Sequence, residues 1–311
     1  MKKYVFGIDV GGTSIKCGLF KKDGEVLEKW EIKTRTEDNG KYILPDVGDS
    51  ILEKMEQHEL KEEDVIGIGI GIPGPVKADG TVAVAVNLGW GFTDIAGELK
   101  AKTKLEVKAG NDANVAALGE MWKGGGQGHD DLIMVTLGTG VGGGVIVNGQ
   151  IVTGAHGAAG EIGHSRIDMN EKESCNCGNQ GCLEQATSAT GIVRLAHREL
   201  LASKDESVLR DTQVSAKTVF DAYKQGDELA LRVVERFAET LGHALAIHCC
   251  VVDPGVIVIG GGVSKAGEVL TKLIGKYLAR DAFAPSKETQ IVLAQLGNDA
   301  GIYGAAKMLL G

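Results

Sequence analysis

The sequence predicts an α/β protein built as two lobes, and three observations carry that reading. Over the first third of the chain, apolar runs of strand length alternate with stretches of helical period. The segment DVGGTSIKCG (Asp9 to Gly18) is echoed by GVGGGVIVNG (Gly140 to Gly149). Each reads as strand, glycine turn, strand, which suggests a duplicated lobe plan. Glycine supplies 46 of the 311 residues, roughly twice the usual share. With no collagen period, that excess predicts loops whose backbone comes close to something.

The elements follow in order. Lys3 to Val10 is a buried strand, Ile15 to Phe20 a second, and Val26 to Thr34 a third after the Lys22-Asp23-Gly24 turn. The first glycine turn therefore opens a meander and not a helix. Ile43 to Glu59 has helical spacing, and Val65 to Ile72 is an apolar strand ending at Pro73-Gly74-Pro75. Thr93 to Thr103 is a capped helix, Val107 to Ala109 a short strand, and Asn111-Asp112 precedes a helix reaching Lys123. Leu132 to Leu137 is a strand, TGVGGG a turn, Val145 to Val147 a strand, and Asn148-Gly149 a hairpin signal before Ile151-Val152. Residues 154 to 188 lack any long apolar period and form an elaborated loop. Helices are predicted at Gly191 to Ala202, Ala216 to Gln225 and Asp227 to Val252, the last stopping at Asp253-Pro254-Gly255. A strand (Val256 to Ile259), the turn Gly260 to Gly262, a helix (Ala266 to Ala279), a strand (Ile291 to Ala294) and a helix (Asp299 to Leu310) close the chain. The lobes are placed at 1–112 plus 298–311, the smaller, and 113–297, the larger, with the metal loop and most helices.

Composition excludes several classes. Lys and Arg number 33 against 42 Asp and Glu, a net charge of −9. With no basic run, nucleic acid and anionic membrane are poor partners. No apolar stretch approaches the ~18 residues of a membrane span. The N-terminal apolar run breaks at Asp9, which is not a signal peptide. A cytoplasmic protein is expected.

Gly138, Gly140 and Gly143 satisfy G-x-G-x-x-G, but a dinucleotide fingerprint must open a helix. Here a hairpin follows, and no G-x-x-x-x-G-K-[ST] occurs. What remains is a pair of turns rich in backbone N–H groups, able to cradle anions. One such turn alone would be only a tight hairpin. Two, plus a third at Ile259 to Val263 between a strand and a helix, point to a nucleotide, the third packing against adenosine. Asp9 at the mouth of the first turn offers a carboxylate for Mg²⁺, directly or through water, and Lys16 lies in the following strand.

His164, Cys175, Cys177 and Cys182 form H-x10-C-x-C-x4-C, the ligand types of a closed structural zinc site. Gly178 and Gly181 permit the tight loops. Unrelated free thiols would not crowd so near one histidine. Cys17, Cys249 and Cys250 are assigned to the core. Four protein ligands leave no open position, so this metal shapes a loop.

Asp112 has a bland reading, the helix N-cap. It also follows a strand at the edge where α/β proteins bind ligands, and an ionised Asp can accept a proton. Glu161 and Glu184 bracket the metal loop. Solvated surface charge is their default, but Glu161 sits in the uncharged run GAAGEIGH. Together with Asn111 and His164 these groups suit a polyhydroxylated ligand.

These motifs resemble the ROK sugar kinases of the hexokinase and actin-like ATPase superfamily. The resemblance rests on DVGGT at Asp9 to Thr13, TLGTGVGGG at Thr136 to Gly144, EIGH at Glu161 to His164, CNCGNQGCLE at Cys175 to Glu184 and VIGGGVS at Val258 to Ser264. NLGW at Asn87 to Trp90, NDANVAALGEMW at Asn111 to Trp122 and GNDAG at Gly297 to Gly301 bring it closest to bacterial ROK glucokinases. It implies a two-lobed, ribonuclease H-like fold with a zinc loop, the sugar in the cleft and ATP-Mg²⁺ alongside. Asp112 would be the general base on the sugar 6-hydroxyl. Asn111, Glu161, His164 and Glu184 would hold sugar hydroxyls, with Asn87 lining the pocket. Asp9, Gly11, Gly12, Thr13 and Lys16, with Thr136, Gly138, Thr139, Gly140, Gly142 and Gly143, would hold the phosphates. Gly260, Gly261, Gly262 and Val263 would take the adenosine, and zinc would sit on His164, Cys175, Cys177 and Cys182. Glucose is the expected substrate and a homodimer the expected assembly.

Related kinases for other hexoses and N-acetylhexosamines share the EIGH and cysteine motifs. Family repressors carry a helix-turn-helix ahead of the phosphate turn, which here begins at Asp9, so no such module is expected. A sugar-binding sensor that has lost catalysis is the alternative from another class, and intact Asp112 and phosphate turns argue against it. An NAD oxidoreductase fails on the hairpin context.

Overall fold

The computed structural model describes residues 2–311. In chain order it holds β1 (Tyr4–Val10), β2 (Ser14–Lys21), β3 (Val26–Lys33), a one-turn α1 (Glu37–Gly40), α2 (Ile43–Gln57), β4 (Val65–Ile72), a small ribbon of β5 (Thr81–Val82) and β6 (Thr93–Asp94), α3 (Ile95–Thr103), β7 (Val107–Asn111) and α4 (Asp112–Lys123). Then come β8 (Leu132–Leu137), β9 (Val141–Val147), β10 (Gln150–Ile151), α5 (Glu184–Thr187), α6 (Ala189–Ala202), α7 (Ala216–Lys224), α8 (Glu228–Val252), β11 (Val256–Gly260), α9 (Glu268–Asp281), β12 (Gln290–Leu293) and α10 (Ala300–Leu310).

Two five-stranded sheets share one plan. The first runs β3-β2-β1-β4-β7 and the second β10-β9-β8-β11-β12. In the first, β1, β2 and β3 form an antiparallel meander while β4 and β7 run parallel to β1. In the second, β10 and β9 are antiparallel while β8, β11 and β12 are parallel. Asn148 and Gly149 both take positive φ, 51° and 71°, as a two-residue hairpin turn demands.

The chain divides into two compact units. One takes the chain up to Asp130 with Gly144–Gly160 and Gln295–Gly311; the other takes Asp131–Gly143 and Glu161–Ala294. The sequence boundary after Asp112 falls at the start of α4, whereas the first unit keeps all of α4. Small residues explain this. A Cβ on Gly304 of α10 would lie 1.7 Å from the Val115 carbonyl oxygen of α4, so the two helices touch backbone to backbone.

The same close packing accounts for part of the glycine excess. In VIGIGIGI of β4, a Cβ on Gly69 would lie 1.7 Å from Ala305 O on α10. Isoleucines fill one face of the strand and glycines admit a helix on the other. The expectation that glycine marks loops near a ligand is therefore corrected in part. Two local readings also change. The glycine turn after β8 ends at Gly140, because Val141–Val147 is already strand, the extended backbone of Gly142 and Gly143 pairing there. Cys17 and Cys249 are buried as expected, but Cys250 is exposed, since it falls on the outer face of α8. No helix among the described residues is long and apolar enough to cross a membrane.

Candidate active site and metal centre

In the first unit the C-terminal ends of β1, β4 and β7 lie side by side. Asp9 pairs in register with Gly71 of β4, and Ile72 with Asn111 of β7. Parallel strands thus deliver Asp9, Asn111 and Asp112 to one edge, where open α/β sheets bind ligands. Asp112 is not the helix cap. Asn111 caps α4, its Oδ1 accepting from Asn114 N at 3.1 Å. Both Asn111 amide donors are also spent, on Gly74 O and Asp112 Oδ1, each at 3.1 Å. Asp112 Oδ1 accepts as well from Ala113 N at 2.8 Å. Its carboxylate is therefore oriented by its neighbours without closing the helix end.

Asp9 stands across β1 from Lys16 of β2, whose Nζ donates to Asn298 O at 3.1 Å. A Cβ on Gly301 would come 2.4 Å from Asp9 Cγ, so this carboxylate rests on the first turn of α10, where helix polarity favours negative charge. Burial, and next the charge of Asp112, hold its carboxyl up to about 6, against the opposing pull of Lys16. A buried carboxylate whose ionisation a second carboxylate makes costlier suits a divalent cation. The adjoining turn is closed by Gly11 N donating to Ser14 O at 3.0 Å and backed by Thr34, whose Oγ1 donates to Gly11 O at 2.6 Å. Gly12 and Thr13 at its tip are exposed. Asn87 is exposed on a one-turn helix, Val86–Leu88, in the same unit.

In the second unit the turns after β8 and β11 are neighbours, because Gly260 pairs in register with Thr136. Gly138 N donates to Gly140 O at 3.0 Å. The N-terminus of α6 clamps this turn from outside, Ala189 N donating to Gly138 O at 2.8 Å and Thr190 Oγ1 to Thr139 O at 2.8 Å. A Cβ on Gly140 would lie 2.6 Å from Glu184 Oε2, which also faces Val141 N at 3.4 Å. Gly261 has φ 82°, and a Cβ there would press on Leu137 O at 2.5 Å. Gly262 meets no atom within 4 Å, while Val263 is buried.

His164, at the end of the short helix Ile162–His164, meets the three cysteines as spacing predicted. The four donor atoms all lie within 4.8 Å of one another. Cys177 Sγ to Cys182 Sγ is 3.6 Å and Cys175 Sγ to His164 Nδ1 is 3.8 Å. A tetrahedral ion with Zn–S bonds of about 2.3 Å needs edges of roughly 3.8 Å, so the donor set fits. Gly178 and Gly181 take φ of 90° and 76°, which makes the knuckle possible. Burial pushes the Cys175 thiol up to about 12, a cost that a bound cation would reverse. Glu184 touches this centre too, its Oε1 accepting from Cys175 Sγ at 2.9 Å. Glu161, one residue ahead of that short helix, is exposed.

The model of the ROK family matches residues 5–311. The chain belongs to the ROK family. A glucokinase from Halalkalibacterium halodurans is 42% identical over 308 residues, covering 97% of this chain and 93% of its own length. A glucokinase from Thermotoga maritima is 35% identical, with 99% and 98% covered. Among solved structures, a ROK family glucokinase from Streptomyces griseus in complex with glucose and AMPPNP is 34% identical, with a TM-score of 0.74 over 98% of each chain. This ROK chain accordingly shares their hexokinase-type, actin-like α/β fold.

Two features of this ROK chain were not visible in its motifs. Glu120 of α4 is fully buried and accepts from Gly125 N, Gln295 N and Leu296 N at 2.8, 3.0 and 2.8 Å. It ties the end of α4 to the segment that delivers Asn298 to Lys16 and Gly301 to Asp9. A Glu beside Leu118 and Gly119 on a packed helix was the available signal. Glu171, within the loop between His164 and Cys175, is almost wholly buried by Arg194 and Arg198, and Arg198 first among its partners pulls its carboxyl down to about 2.

Proposed function

We propose that this ROK protein is an ATP-dependent glucokinase that transfers the γ-phosphoryl group of ATP to O6 of glucose, with Asp112 as general base. The observation that carries the reading is the corner at Asn111 and Asp112. Asn111 takes over the helix cap and spends an amide donor on Asp112, which leaves Asp112 oriented at the strand ends with no cap to maintain. The glucokinase relatives, one of them solved with glucose and AMPPNP, support glucose and ATP as the substrate pair.

In the mechanism, Asp112 accepts the 6-hydroxyl proton as that oxygen attacks the γ-phosphorus. Such a base contributes roughly 10²–10⁴-fold, and the rest is positioning and charge stabilisation. With both amide donors spent, Asn111 can offer a sugar only a lone pair, so it would accept from one hydroxyl while holding Asp112. With Nδ1 turned to the sulfurs, His164 would present Nε2 to the sugar, beside Glu161 and Glu184 at O1 and O2, and Asn87 would line the pocket. The amides of Gly11, Gly12 and Thr13 and of Gly138, Thr139 and Gly140 would hold phosphates, with Thr136, Gly142 and Gly143 beside them. Lys16 would add positive charge, and Gly260, Gly261, Gly262 and Val263 would flank adenosine. Mg²⁺, when bound, neutralises phosphate charge; Asp9 would hold it directly or through water. Zinc on His164, Cys175, Cys177 and Cys182 would shape the loop that carries Glu184. A soluble homodimer in the cytoplasm completes the reading.

The test is kcat/KM for glucose, mannose, fructose, N-acetylglucosamine and N-acetylmannosamine with ATP. Glucose should lead, because an N-acetyl group would leave a carboxylate oxygen of Glu161 or Glu184 without its donor, about 1–3 kcal/mol or roughly ten- to a hundredfold. An N-acetylhexosamine or fructose ahead of glucose overturns the substrate and spares the kinase. No phosphorylation of any sugar overturns both.

A further inference from the structure

Within the second unit, α6, α8 and the C-terminal end of α9 enclose a cavity of about 300 Å³ against the metal loop. Four guanidinium groups line it, those of Arg194, Arg198, Arg236 and Arg280. Their charges are met unevenly. Arg194 and Arg198 share Glu171 and Glu173. Arg280 pairs with Glu239 and Asp281, and His243 with Asp281. Asp168, also in the lining, accepts from Asn170 N. Arg236 has no ion pair or side-chain hydrogen bond among the described residues, and the buried Nε of Arg194 has no partner either.

A native interior seldom leaves a buried N–H unmet. Arg194 lines the same cavity as the unpaired Arg236, with its Nε buried behind the wall, while Glu171 and Glu239 in the lining are already ion-paired. Guanidinium forks match the oxygens of a phosphate. The volume lies at the small end of ligand cavities. We propose that this cavity binds a phosphomonoester, either inorganic phosphate or the phosphate of a hexose phosphate, through Arg236 and Arg194. Nothing in the proposed transfer reaction uses these residues, so the site goes beyond that reading.

The experiment is titration calorimetry on the full, zinc-loaded chain with saturating AMP-PNP, which blocks the glycine turns. Inorganic phosphate and glucose 6-phosphate are titrated separately into the wild type, Arg236→Gln and Arg236→Lys. One saturable site is expected, weakened roughly tenfold or more by Arg236→Gln and less by Arg236→Lys. Tighter binding of glucose 6-phosphate than of phosphate would mark a hexose phosphate as the ligand; equal affinities would mark the phosphate alone. Arg236 is exposed, so the variants should fold, and an unchanged Tm checks this. No saturable binding under AMP-PNP, or equal affinity in Arg236→Gln, overturns the site and leaves a water-filled network of ion pairs. Binding is read directly, so the outcome is independent of whether glucose is the substrate.

Discussion

The two glycine hairpins are built alike and equipped differently. After β1 the chain turns through Gly11, Gly12 and Thr13 into β2; after β8 it turns through Gly138, Thr139 and Gly140 into β9. The structure thereby corrects the register of the sequence echo, which set Asp9 against Gly140. By strand and turn, Asp9 answers to Thr136 and Lys16 to Gly143. One hairpin carries a carboxylate and an ammonium, and the other carries bare amides and the hydroxyls of Thr136 and Thr139. The supports differ as well. Thr34 backs the first turn, whereas the second is clamped by Ala189 and Thr190. The two hairpins share the strand-turn-strand backbone, and charged side chains stand on one of them only. On this view the first unit handles the proton and the cation, and the second grips.

The largest effect should come from removing the proposed base on the charged side. Asp112→Asn keeps shape and polarity but loses the carboxylate, so kcat should fall by about 10²–10⁴-fold with glucose Kd little changed. A variant retaining more than about a tenth of wild-type kcat would sink the assignment.

Asp9 and its counterpart Thr136 test the asymmetry itself. Asp9→Asn should lower turnover about a hundredfold, and Thr136→Val by about tenfold or less; equal losses would dissolve the distinction. A pH signature goes with it. The folded carboxyl titrates at about 6, held there by burial and then by Asp112, above its unfolded value near 4. Between those values the folded chain holds a proton that the unfolded chain has lost. This contribution is therefore present at low pH and lost as pH rises to about 6. Without cation, Asp9→Asn should be more stable than wild type above that pH, by at most about 3 kcal/mol, and the gap should close near pH 4. Thermal melts across pH 4 to 8 read it directly. Saturating Mg²⁺ and nucleotide should move the midpoint down.

What the sequence disclosed follows from which physical demands leave a periodic or chemical trace. The alternating isoleucines of β4, the long apolar face of α8 and the Asp253-Pro254-Gly255 stop were legible because burial and chain geometry dictate them locally. The cluster of His164, Cys175, Cys177 and Cys182 was legible because only a few residue types bind zinc, at short spacing, and the structure brings these four together. The start of β9 was not, since Gly142 and Gly143 carry no strand signal and pair only because β8 lies beside them. Nor was the reason for Gly69, Gly301 and Gly304, whose missing side chains answer to α4, α10 and Asp9 far along the chain. Glu120 and Glu171 read as surface charge until partners distant in sequence bury them.

Metal removal should separate the two turns by their supports. The clamp on the second turn runs straight on from Cys182 through α5 to Ser188, which caps α6. Elemental analysis of protein purified without added metal should find close to one zinc per chain. Chelation should then speed hydrogen exchange of the amides at 138 to 141 and leave those at 11 to 14 unchanged. Equal responses, or zinc-free protein with normal sugar affinity, would reject a structural role for the metal in the site.

The smallest structural change gives the sharpest reading of the first turn. A Cβ on Gly12 would meet no protein atom within 4 Å, and its φ does not fall in the left-handed region. The fold itself therefore has no use for glycine there, and Gly12→Ala should alter stability by less than about 0.5 kcal/mol. Gly261→Ala, by contrast, adds a side chain at φ 82° and 2.5 Å from Leu137 O, and should cost about 1–3 kcal/mol. If Gly12 is kept bare so that a phosphate can approach the backbone, Gly12→Ala should raise the KM for ATP several-fold while Tm and the KM for glucose stay put. Unchanged ATP kinetics would mean that this turn is a hairpin and no more, and the phosphates would then belong to the second unit alone.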